Sequence, residues 1–270
     1  MTYTWRPDPI GKPKEEKMSK AQTLSDIDEM MYSCGLEILH PGGIEKTDEM
    51  ARMCQIDKDK KILDIGCGKG VTACYLANKY RCNVAGVDLS ERMVQYARKM
   101  AAIRGLARRV SFTTADAYSL PFHDESFDIV LAECTTVLLD KEKALSEFLR
   151  VTKPSGYIGD LEMTWQKPPP KELVEKVYDI WEGFTTMTLE EWKELYERTR
   201  VVDVKTIDFS ETIPDMESAM KKELGIKGRI KMFCKLLSHP KLAKAMNESR
   251  KIFRDYVDYI GYGYVVGRKI

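Results

Sequence analysis

Between residues 60 and 165 the chain alternates short apolar runs with amphipathic stretches of helical period. The pattern predicts strands at 61–65, 83–88, 110–114, 127–132 and 156–162, with helices at 71–79, 91–104 and 141–151. Strands that alternate with helices in this way build a parallel sheet covered on both faces, a doubly wound α/β fold. Right-handed crossovers bring every turn that follows a strand to one edge. Gly66, Asp88, Asp116 and Glu133 therefore converge although they are far apart in the chain. Upstream, Leu24, Ile27, Met30 and Met31 fit one helix face over 20–38, which stops at His40-Pro41-Gly42-Gly43, and a second helix is predicted over 44–53. Downstream, Lys167-Pro168-Pro169-Pro170 breaks the chain before helices at 171–183 and 189–200, a strand at 201–209 and a last one at 260–267. Some fifty residues of helical pattern separate those two strands, and residues 1–20, rich in Pro, Lys and Glu, predict a loosely held segment.

The glycine turn adds chemistry to this frame. Ile62-Leu63-Asp64-Ile65-Gly66-Cys67-Gly68-Lys69-Gly70 reads as a strand entering a bare turn that opens a helix. Glycines at 66, 68 and 70 let the backbone approach a ligand, and the helix start offers free N–H groups to an anion. Asp88, at the tip of the next strand, is placed to accept hydrogen bonds from the two hydroxyls of a ribose. A dinucleotide fold wants G-x-G-x-x-G, whereas this turn is G-x-G-x-G with an acid two residues before it.

That motif resembles the first motif of the class I S-adenosylmethionine-dependent methyltransferases. The likeness continues through Thr114-Ala115-Asp116-Ala117, Leu120-Pro121-Phe122 with Ser126-Phe127-Asp128-Ile129-Val130, and Leu149-Arg150-Val151-Thr152-Lys153-Pro154-Ser155-Gly156. It covers residues 44–165 well and resembles the type 11 group, which includes ubiquinone and menaquinone methyltransferases. Ser155 departs from it, since the family usually has Gly there. The resemblance implies a Rossmann-like, seven-stranded mixed sheet whose last strand is antiparallel, with residues 1–58 as an N-terminal extension and helical lid. Residues 59–165 would form the cofactor-binding core, and 166–270 the rest of the sheet with a helical cap at about 211–259. S-adenosylmethionine is the implied methyl donor, leaving S-adenosylhomocysteine, held by Asp64, Gly66, Cys67, Gly68, Gly70, Asp88, Leu89, Asp116, Ala117 and Glu133.

Acceptor chemistry is expected after the fourth strand, at Glu133-Cys134-Thr135-Thr136. Methyl transfer is an in-line displacement that needs alignment, and a base only where the nucleophile arrives protonated. Glu133 is a candidate for that base or for a partner of the cofactor's ammonium group; His40, where a lid meets the cofactor, is a candidate proton acceptor. Cys134 resembles the arsenic-binding cysteine of arsenite methyltransferases, with Cys34 as a candidate partner, but no cysteine follows before Cys234 and a packed apolar cysteine is the favoured reading. Trp165, Glu162 and Met163 are candidate acceptor-pocket residues, and Tyr32 could reach that pocket from the lid.

Composition narrows the partners. Hydrophobic content of 43%, charged content of 31% and a net charge of +1 give no global field for nucleic acid. Strand four also lacks the amino-methylating N/D-P-P-Y/F tetrad, so a small-molecule acceptor is expected. Seven cysteines without a C-x-x-C pair suggest reduced thiols, and no spacing suggests a metal site. Neither an apolar leader nor a long apolar run is seen, so a cytoplasmic monomer or homodimer is expected. Residues 220–254 hold eleven Lys or Arg against Glu223 and Glu248, a pattern that suits a solvated helix face or contact with an anionic substrate, a membrane surface or RNA. A non-catalytic cofactor-binding regulator is the alternative from another class.

Overall fold

A computed structural model describes residues 21–37, 40, 42–181 and 183–270. The expectations for residues 1–20, for Ile38 and for Pro41 lie outside the described residues. Seven strands form one sheet: β1 (Lys61–Ile65), β2 (Asn83–Asp88), β3 (Val110–Thr114), β4 (Phe127–Glu133), β5 (Thr152–Trp165), β6 (Val201–Asp208) and β7 (Ile260–Lys269). Their order is β3-β2-β1-β4-β5-β7-β6, with β1 to β5 parallel and β7 antiparallel to both its neighbours. The order reverses between β1 and β4, which splays the turns after these strands and opens a crevice at their carboxyl ends.

Each face of the sheet has its own core. On one, α2 (Gly43–Met53), α3 (Val71–Tyr80) and α4 (Glu91–Ile103) pack Met50, Leu76 and Ala97 against Ile62, Ile129 and Leu161. On the other, α5 (Lys141–Val151) and α7 (Leu189–Glu197) pack Phe148 and Trp192 against Leu63, Val130 and Ile158. α6 (Lys171–Ile180) adds Leu173 and Val177 to the first.

β5 is much longer than the 156–162 predicted. Val151 ends α5 and Thr152 already pairs with Phe127, so the expected turn is absorbed as a register shift opposite Phe127 and Ile129. Ser155 takes the left-handed region there, at φ 61°, which accounts for glycine being usual at this position in the family it resembles. Ser155→Gly is expected to raise unfolding free energy by up to about 1 kcal/mol. Paired urea melts with equal m-values check it.

The N-terminal helix and the helices between β6 and β7 form one layer. α1 (Ala21–Cys34) stops short of the predicted 38 because Gly35, at φ 116°, turns the chain out of the helix. Met30, Cys34 and Leu36 pack on Leu224 and Met232 of α8 (Met216–Ser238) and Leu242 and Met246 of α9 (Pro240–Asp255). α8 is broken at Gly225, whose φ of 56° and ψ of −171° are not helical. No helix among the described residues is long and apolar enough to cross a membrane.

Candidate active site

The glycine turn after β1 is shaped by what surrounds it. Gly66 has φ 67°, and a Cβ there would collide with the Thr135 side chain, which fills the space against the turn. Gly70 enters α3 at φ 74° with its bare Cα against the Phe112 ring and Ala97. Asp88, from β2, accepts the Gly68 N–H at 2.9 Å through Oδ2 and the Ser90 N–H at 2.8 Å through Oδ1. A carboxylate has further lone pairs, so these two bonds orient Asp88 and leave it able to accept more. Burial pushes its carboxyl up, opposed by those two amides. Leu89 beside it is 77% exposed and offers an apolar edge on the same rim.

Asp64 and Glu133 lie deeper. Asp64 is buried in β1, and burial first, then the charges of Glu133 and Asp88, push its carboxyl well above the usual range, against a hydrogen bond from the Ala73 backbone. Glu133 ends β4; its Oε2 accepts the Thr72 hydroxyl at 2.6 Å and lies 3.3 Å from His40 Nε2. Thr47 Oγ1 is 3.2 Å from the same imidazole nitrogen. Burial opposes ionisation of Glu133, but His40 and the Thr72 and Thr47 hydroxyls outweigh it and hold the carboxyl below its ordinary value. Two buried acceptors in this group have no protein partner, Asp64 Oδ2 and Glu133 Oε1. Orphaned acceptors this deep are costly unless a donor arrives, and two carboxylates call for a cationic one.

α1 reaches this turn. Tyr32 Oη stands over Gly68, 3.2 Å from where a Cβ would be, and Lys69 Nζ lies 4.5 Å from the Tyr32 ring and 5.4 Å from that of Tyr96. His40 and Thr47 come from the loop and helix that follow α1, so residues from before β1 complete the surroundings of Glu133.

Other predicted residues sit differently. Cys67 is buried, and burial followed by the charges of Asp64 and Asp88 pushes its thiol far up, so only its backbone fits a binding role. Asp116, at the end of β3, is exposed and accepts the Tyr118 N–H at 2.9 Å, closing a turn with Ala117 inside it. Cys134 is half-buried at φ 51° and its N–H bonds Leu161 O at 2.8 Å. Cys34 packs in the layer of α1, α8 and α9 while Cys134 packs on the sheet, so the two thiols belong to different clusters.

Glu162 sits on another face of the sheet from Met163. The alternation of β5 puts it on the opposite face from Met163 and Trp165, where it is fully buried and its Oε1 accepts the Thr135 and Thr136 N–H groups at 3.0 and 2.7 Å. Asp160, two residues earlier, takes the hydroxyls of Thr136 and Tyr196. These two acids clamp the turn that carries Cys134 from behind, and Glu162 Oε2 is a further buried acceptor without a protein partner. Burial pushes Asp160 up to about 6 and Lys141, at the start of α5, down to about 8. Thr47, Thr72 and Asp160 are not singled out by the sequence. Asp160-Leu161-Glu162-Met163-Thr164 alternates polar with apolar inside a strand, and that period of two was a readable sign of a polar face.

A methyltransferase-domain family model matches residues 62–156, from β1 into β5. Norajmaline N-methyltransferase of Rauvolfia serpentina is 32% identical over 197 residues, 67% of this chain and 68% of its own length. An uncharacterized methyltransferase of Bacillus subtilis, YodH, is 35% identical over 168 residues, 62% of this chain and 70% of its own. Among solved structures, Haemonchus contortus phosphoethanolamine N-methyltransferase 2 in complex with S-adenosylmethionine shares the fold, with a TM-score of 0.77 and 21% identity over 98% of this chain and 62% of that one. With a glycine turn, an aspartate that orients it and two buried carboxylate oxygens without a protein partner, and with relatives of this identity and coverage, the chain belongs to the class I S-adenosylmethionine-dependent methyltransferases.

Proposed function

We propose that this enzyme methylates a small-molecule acceptor by in-line displacement. Bound S-adenosylmethionine supplies an electrophilic methyl on a sulfonium. Asp88 accepts from its ribose hydroxyls, the bare turn at Gly66, Gly68 and Gly70 faces its amino-acid tail, and Leu89, Asp116 and the Ala117 backbone border the adenine. The observation that carries the reading is the pair of partnerless buried oxygens, Asp64 Oδ2 and Glu133 Oε1, which suit a cationic amino group. Glu133 then serves chiefly as the ammonium partner.

His40 is the proton acceptor in this reading. Its Nε2 is 3.3 Å from Glu133, a carboxylate able to stabilise the imidazolium that forms when a hydroxyl or ammonium acceptor gives up its proton. Cys134 supports packing of the turn better than metalloid binding, because Cys34 lies in another cluster. Relatives that act on small molecules, such as norajmaline N-methyltransferase, support the acceptor class without fixing the methylated atom.

Calorimetry tests the ammonium assignment. The Asp64 carboxyl is pushed well up in the cofactor-free protein, and a cation brought beside it favours the ionised form. Binding is therefore expected to release protons, seen as a heat that varies with the ionisation enthalpy of the buffer, and affinity should rise with pH until Asp64 is ionised before binding. The demethylated product, which keeps the amino group, should behave alike. No buffer dependence, or proton uptake, would remove the assignment. Incubation with a methyl-labelled donor and pooled small molecules then finds the acceptor.

A further inference from the structure

Beyond the active site, α8 carries a feature that folding leaves unexplained. Past the break at Gly225, Gly228 and Met232 face inward, Met232 within the apolar layer it shares with α1 and α9. Ile226, Ile230, Phe233 and Leu237 are 76, 59, 63 and 70% exposed. Spaced by four, three and four residues, they make one straight ridge roughly 16 Å long. They are four of the twelve large apolar side chains exposed among the described residues; the other eight are scattered over the rest of the chain. Scattered apolar residues are ordinary on a surface, whereas a contiguous line marks a contact.

Charge indicates what it contacts. Lys227 and Arg229 are exposed beside the ridge, and Lys222 lies just before the break. Residues 220–254 carry eleven cations and two carboxylates, a local +9 in a chain of net +1, so the remainder is at −8. Two such ridges facing each other would bring like charges together, which opposes self-association through this face. A convex apolar line edged by Lys and Arg fits an anionic phospholipid surface, where the apolar side chains enter the acyl boundary and the cations meet the headgroups. We propose that the outer face of α8 seats the enzyme on an anionic phospholipid bilayer. The inner side of the same layer holds the lid, with Lys231 Nζ on Ser33 O at 2.6 Å and Glu223 Oε1 accepting the Glu37 N–H at 2.7 Å.

Sedimentation of the full chain with vesicles tests this independently of the methyl-transfer reading. The lipids are phosphatidylcholine alone and phosphatidylcholine mixed with phosphatidylglycerol. The proteins are wild type, Ile230→Asp/Phe233→Asp and Lys227→Glu/Arg229→Glu, all four positions being solvent-exposed, with unchanged S-adenosylmethionine binding as the folding control. Wild type should pellet with the anionic vesicles only, less so as salt rises, and each double variant should partition about tenfold more weakly. Absence of wild type from the anionic pellet, or equal pelleting of the Asp variant, overturns the proposal. Loss of a wild-type dimer in the Asp variant, without vesicle binding by wild type, would also overturn it and give the ridge to a second copy.

Discussion

Asp88→Ala is expected to abolish measurable S-adenosylmethionine binding. The carboxylate would accept from two ribose hydroxyls, and it already orients the turn by accepting the Gly68 N–H at 2.9 Å. Charge-assisted hydrogen bonds of this kind contribute about 1.5–3 kcal/mol each, so losing two weakens binding roughly a hundredfold or more. Asp88→Asn keeps one acceptor oxygen and should fall between. The measurement is calorimetric titration of wild type and both variants with the donor and with its demethylated product. Affinity retained by the alanine variant would mean that the ribose is held elsewhere and that Asp88 merely shapes the turn.

Glu133 is the second position of large effect. In Glu133→Ala the buried His40 and Thr72 lose their common partner, and breaking a buried charged pair costs about 3–5 kcal/mol. A large loss of unfolding free energy is expected. Glu133→Gln retains the shape and an acceptor for Thr72 while removing the charge, so it isolates the electrostatic part. Its affinity for S-adenosylmethionine should fall about tenfold or more, since a hydrogen-bonded charge is lost. Affinity for 5′-methylthioadenosine, the same nucleoside without the amino-acid tail, should stay unchanged. Equal losses for both ligands would assign Glu133 to the fold. Unchanged donor affinity with reduced turnover would assign it to proton handling with His40.

The sign of the pH effect follows from the depressed Glu133 carboxyl. A carboxylate whose native value lies below its unfolded value of about 4.3 adds stability above that pH and loses it as pH falls through the native value. The stability gap between wild type and Glu133→Gln should therefore be full at neutral pH and close on acidification below the unfolded value. Urea melts of the two proteins across that range measure it.

The sheet was legible because its strands are short, apolar and punctuated by glycine and proline, so the 2.0 and 3.6 periods stand out between residues 60 and 165. The predicted convergence of Gly66, Asp88 and Glu133 needed only the handedness of the crossovers, and the strand order with its reversal between β1 and β4 supplies it. The longer β5 was hidden because a serine, not a glycine, occupies the left-handed position at 155.

The sequence by itself determined the fold class, the cofactor motif and the rim that carries it, since each depends on local periodicity and short spacings. Only the tertiary structure decided that Thr72 and His40 share Glu133, that Glu162 clamps the turn after β4, and that α1, α8 and α9 close into one layer with an apolar ridge outside. Those facts depend on hydrogen bonds between residues from 26 to 198 positions apart, as in the bond from Lys231 to Ser33, and on which face of an element looks inward. Neither quantity is written in any local pattern, because chain packing, and not spacing along the chain, brings such partners within reach of each other.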